Sequence, residues 1–86
     1  MMEEAKIYEV LREIFADVFL RDDIPLSASL VAEDVSGWNS FKQVEILMAA
    51  EERFGMRFTS TEIDNFRSLG DLVAAVARHI GSAARA

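Results

Sequence analysis

Gly37-Trp38-Asn39-Ser40-Phe41-Lys42-Gln43-Val44-Glu45-Ile46-Leu47-Met48-Ala49-Ala50-Glu51-Glu52-Arg53-Phe54-Gly55 is the stretch whose reading decides the fold. Polar and turn-forming residues give way at Ser40 to an uninterrupted run of helix formers, and Gly55 offers the left-handed residue that commonly ends a helix. The pattern predicts a helix from Ser40 to Phe54. With residues placed about 100° apart, Ile46, Leu47, Ala50 and Phe54 share one face, as a core stripe should. The opposite face collects Phe41, Val44 and Met48, flanked by Glu45, Glu51 and Glu52. Unpaired carboxylates are rarely taken into a core, so this second stripe reads as a surface that meets a protein partner. The competing reading is a wide core face whose charged rim reaches out to water.

Ser40 has two readings of its own. It can be an N-cap, with Gln43 reaching back to complete a Ser-x-x-Gln capping box. It can also be a tether for an anionic group, because the first amides of a helix lack partners and the helix dipole is positive there. A catalytic nucleophile would need a base and an orienting acid. The single histidine, His79, belongs to another helix near the C-terminus, where solvation is the expected role.

Upstream, Ile7, Leu11, Ile14 and Val18 recur at helical spacing with Tyr8, Phe15 and Phe19 beside them, predicting a long amphipathic helix over Glu3–Leu20. From Arg21 to Trp38 the period breaks around Asp22, Asp23, Pro25 and Gly37, and a long connection is expected. Its apolar residues Ile24, Leu26, Leu30 and Val31 predict that it packs across the molecule. Downstream, Thr59-x-x-Glu62 is a capping box opening a short helix to about Phe66. Ser68-x-x-Asp71 then opens a last helix carrying Leu69, Leu72, Val73, Val76 and Ile80, expected to stop before Gly81, with a frayed tail over 82–86. No stretch alternates with strand period. The fold class is all-α, a bundle of three main helices and one short one, in a single domain over residues 1–86.

Composition excludes several functions. With 86 residues the chain can bury one modest core, too little for a second catalytic domain. Without cysteine, and with one histidine, neither a disulfide framework nor a zinc site can be assembled, and no metal site is expected. A net charge of -6 disfavours nucleic acid, and all of the excess lies before residue 41, where nine acids face three bases. No apolar run reaches membrane-spanning length, and the acidic start Met1–Lys6 lacks the features of a signal peptide, so a cytoplasmic location is expected; the chain is also expected to be a monomer.

Taken together these segments resemble the acyl carrier proteins of fatty acid and polyketide synthesis. The resemblance spans nearly the whole chain: the long first helix, the extended connection, Gly37–Phe41 set against the family's Asp-Ser-Leu, the run Val44–Phe54, then Phe58, Ile63, Phe66 and the closing helix in family order. It implies an acyl-carrier-like four-helix bundle that performs no catalysis. It further implies that a phosphopantetheinyl transferase attaches 4'-phosphopantetheine to Ser40, and that acyl groups ride as thioesters on the arm's thiol to acyl-loading, acyl-transfer and synthase enzymes. Asn39, Phe41, Val44, Glu45, Met48, Glu51 and Glu52 would then be partner contacts, the carboxylates pairing with basic residues.

Three departures mark this chain. Asn39 replaces the family's aspartate, Phe41 replaces its leucine, and Lys42 stands where primary fatty-acid carriers are commonly acidic. They point to a specialised rather than a housekeeping carrier. A carrier-like interaction or regulatory module without the arm is the alternative, supported by Asn39. A peptidyl or aminoacyl carrier keeps the arm, but that branch usually has histidine before the serine.

Overall fold

The computed structural model describes residues 4–85, with side chains as far as residue 80. Four helices follow in order: α1 (Glu4–Phe19), α2 (Ser40–Phe54), α3 (Ser60–Asn65) and α4 (Leu69–Arg85). A short 3-10 turn, Ala32–Asp34, interrupts the connection between α1 and α2. Among the described residues there is no strand, and the all-α class is as expected.

The core is built where the 3.6-residue period places it. Ile7, Leu11, Ile14 and Phe15 of α1, Ile46, Leu47 and Ala50 of α2, and Leu69, Leu72, Val73, Ala75 and Val76 of α4 are all buried. The connection contributes Ile24, Leu30 and Val35 to the same cluster, and Phe58 closes it from the segment before α3. The α1–α2 connection is therefore a packed element. It also caps α4: the carbonyls of Leu30 and Ala28 accept from the Leu69 and Gly70 amides at 2.8 and 2.9 Å. The Asp71 carboxylate accepts from the amides of Arg67 and Ser68. With the Asp71 amide donating to the Ser68 carbonyl, each of the first three amides of α4 has an acceptor.

Helix ends follow local chemistry. Gly55 ends α2 at φ 64°, with its amide donating to the Glu51 carbonyl. Thr59 and Glu62 form the expected reciprocal capping box at α3. Leu20 ends α1 at φ 56°, a left-handed seat that normally goes to glycine, and its side chain is 88% exposed. Lys42 Nζ donates to the Val18 carbonyl at 3.1 Å, holding the end of α1 against the start of α2. One boundary corrects the sequence reading: α4 does not stop before Gly81 but continues to Arg85. An interior glycine costs only about 1 kcal/mol relative to alanine, and Ala83 and Ala84 are the best helix formers.

Candidate functional site

Asn39, not Ser40, caps α2. Its backbone is extended (φ -123°, ψ -171°) and its Oδ1 accepts from the Lys42 amide at 3.0 Å. The capping box read from Ser40 and Gln43 does not form. Gln43 turns instead to Trp38, whose indole N–H donates to Gln43 Oε1 at 2.8 Å. The reason is geometric: the residue before Ser40 already supplies the acceptor, so Ser40 falls one place inside the helix.

That shift leaves Ser40 as the first residue of α2, exposed, with its hydroxyl making no hydrogen bond to protein among the described residues. The amides of Ser40 and Phe41 likewise have no acceptor there, and Asn39 adds no charge to oppose an anion. Ser40 borders a cleft of about 620 Å³ between α2, α3, the start of α4 and the connection. Its walls include Leu47 of α2, Ile63 and Phe66 of α3 and Leu72 of α4. Unlike the other helices, α3 buries none of its residues.

The second stripe of α2 stands in solvent: Phe41 is 81% exposed, Met48 63% and Val44 53%. Glu45 and Glu52 beside it are exposed, but Glu51 is half-buried and its Oε2 accepts from the Phe58 amide at 2.9 Å. Of the three expected carboxylate contacts, one is therefore engaged inside the molecule. The two bases of α2 are turned to α1. Lys42 binds the Val18 carbonyl and sits 3.7 Å from Glu45, and Arg53 pairs with Glu13 of α1 at 2.6 Å. The basic residues that make α2 less acidic in sequence thus both reach α1.

His79 is not simply solvated. It is half-buried, edge-on to Phe58, with Nε2 at 2.9 and 3.1 Å from the two oxygens of Glu62. A carboxylate can only accept, so Nε2 carries the proton. Arg78 reaches the same carboxylate at 3.1 Å. The His79 hydrogen bond first, then the Thr59 amide and Arg78, hold the Glu62 carboxyl at about 2, well below its usual range. His79 therefore fastens α4 to α3 and does not line the cleft beside Ser40. Among the described residues no group of metal-binding side chains assembles, and no helix is long and apolar enough to cross a membrane.

A sequence profile for the phosphopantetheine attachment site matches residues 9–76, and the region it covers holds the exposed serine at the α2 start. The chain belongs to the acyl carrier protein family. It is similar to the acyl carrier protein of Clostridium perfringens, with 29% identity over 75 residues, spanning 85% of this chain and 96% of that one. It is also similar to the acyl carrier protein of Acidothermus cellulolyticus, with 40% identity over 45 residues, 52% of this chain and 54% of that one. For a carrier of this family the prosthetic group is covalent 4'-phosphopantetheine. The local structure fits such a group: an exposed, uncommitted hydroxyl at a helix start, two amides without acceptors, and alongside a cleft of mixed apolar and polar lining.

Proposed function

We propose that Ser40 carries the 4'-phosphopantetheine arm, and that this carrier passes acyl groups between the enzymes of a specialised fatty-acid, polyketide or related pathway. The observation that supports this reading best is the position of Ser40: outside the cap, inside the first turn, exposed, and beside a cleft of 620 Å³. When bound, the arm supplies a thiol on which acyl groups are held as thioesters. The protein's own residues do the rest. The free amides at the α2 start favour the phosphodiester, and the cleft offers an apolar shelter to a chain folded back from the arm.

Docking is assigned to the outward stripe of α2. Phe41, Val44 and Met48 give an apolar centre, and Glu45 and Glu52 give an acidic rim, on which Lys42 also reaches the Val18 carbonyl and Arg53 is paired with Glu13 of α1. A basic partner surface matches that pattern, the charges chiefly raising encounter rates. Glu51 would contribute less than its neighbours, since its carboxylate already holds the Phe58 amide.

Incubation with coenzyme A and a broad-specificity phosphopantetheinyl transferase should add one arm by intact mass, and Ser40→Ala should take up none. A wild type that stays unmodified with several transferases, or an arm on another serine, would overturn the reading in favour of an interaction module without a prosthetic group.

A further inference from the structure

Gln43 lines the cleft beside Ser40 and is half-buried. Chemistry settles how its amide is turned. The indole N–H of Trp38 can only donate, so the atom 2.8 Å from it is Gln43 Oε1, and Nε2 lies on the other side of the amide. Trp38 is itself held, edge-on to Phe15 at 5.3 Å and tilted against Phe19 at 6.0 Å. A rigid aromatic seam thus orients Gln43 and leaves it two N–H groups without an acceptor among the described residues. An open cleft of this size admits water, which can meet that need. A chain entering the cleft displaces the water, and pure hydrocarbon leaves the donors unpaired, whereas a carbonyl oxygen restores the bond.

We propose that Gln43 Nε2 is the donor that receives a carbonyl oxygen of the acyl cargo in the cleft, with Trp38 as its positioning residue. This rests on Ser40 carrying the arm. Two oxygens have the required chemistry: the thioester carbonyl, and an oxo group further along an oxidised chain. The first would make Gln43 a general clasp for cargo. The second would make it a selector for oxo-acyl chains.

The test uses protein loaded from coenzyme A, hexanoyl-coenzyme A and 3-oxohexanoyl-coenzyme A, with loading checked by intact mass. Hydroxylamine cleavage of each thioester is measured relative to the same thioester on free pantetheine, and the Gln43 side-chain amide resonances are followed by NMR. Gln43→Glu keeps an acceptor for Trp38 while removing the cleft donors, and Gln43→Leu removes both. Wild-type protein should shield its thioester about threefold to tenfold better than Gln43→Glu, the worth of one hydrogen bond, and the Gln43 resonances should shift on loading. Loss of shielding for both cargoes identifies the thioester carbonyl, and loss for 3-oxohexanoyl alone identifies the oxo group. Unmoved Gln43 resonances in the loaded wild type, with cleavage unchanged in both variants, would overturn the inference while leaving the arm on Ser40 intact. Failure to load any arm would overturn the carrier reading and this inference together.

Discussion

Asn39 stands where the family resemblance leads one to expect aspartate, and its place in the structure gives that difference a physical meaning. Capping needs only a side-chain oxygen, which asparagine supplies as well as aspartate, so α2 starts normally and only the charge is lost. Asn39→Asp should therefore leave the melting temperature nearly unchanged and raise the rate of arm attachment by ordinary transferases, measured by intact mass over time. Asn39→Ala should cost about 1 kcal/mol in chemical denaturation through loss of the cap. A rate that does not rise in Asn39→Asp would mean that the transferase reads another feature. Gly70 makes a second residue-scale case. In most helices Gly→Ala is stabilising, but a Cβ here would lie 2.9 Å from the Ala28 carbonyl oxygen and 3.1 Å from its Cβ. That carbonyl also accepts from the Gly70 amide, so it cannot withdraw without losing the cap on α4. Gly70→Ala should destabilise by roughly 1 to 3 kcal/mol, as overpacking does. A gain in stability would show that the connection is free to shift. The close approach was not legible in the sequence, because nothing near Gly70 in the chain announces that residue 28 will meet it.

Among the elements, α2 carries two opposed apolar faces that differ in burial, and they should answer differently to mutation. Ile46→Ala, on the buried face, should cost roughly 2 to 5 kcal/mol. Met48→Ala and Glu45→Lys, on the exposed face, should shift stability by less than about 0.5 kcal/mol and instead slow acyl loading by partner enzymes. The Glu45→Lys defect should shrink as salt rises. Loading rates unaffected by both substitutions would remove the outward stripe from the docking surface. The short helix α3 depends on a different kind of contact: it buries no residue and is joined to α4 by Glu62 with His79 and Arg78. The Glu62 carboxyl is held at about 2 in the folded protein against an ordinary 4.5. A depressed folded value means that the stabilisation is complete above about 4.5 and is lost as the pH falls through about 2. The difference in melting temperature between wild type and Glu62→Gln, which keeps the capping box, should be constant at neutral pH and shrink below 4.5. A difference that persists at pH 2 would show that the carboxylate charge is not what joins the helices. Both faces of α2, its glycine stop and the Thr59–Glu62 box were legible because each depends on neighbours within a turn or two. The embrace of Glu62 by His79 was not, since the partners lie 17 residues apart and on separate helices.

At the scale of the whole molecule, what could be read in advance was periodicity and composition: an all-helical chain, one core, no cysteine chemistry, and acidity concentrated before residue 41. What could not be read was how side chains are shared between elements. Lys42 and Arg53 count against the acidity of α2 in sequence, yet both are drawn to α1, and Glu51 counts toward it while holding the Phe58 amide. Ser40 was legible as a helix-start serine; its freedom from capping duty depends on Asn39 supplying the cap and emerges only in three dimensions. The aromatic seam has one more consequence. Trp38 is the sole tryptophan of the chain; it touches α1 through Phe15 and Phe19, α2 through Gln43, and the cleft beside Ser40. Light absorbed by tryptophan would therefore excite one indole at the meeting point of bundle, cap and cleft, so the colour and lifetime of its emission give the unlabelled protein its own optical gauge of whether that cleft is wet or filled.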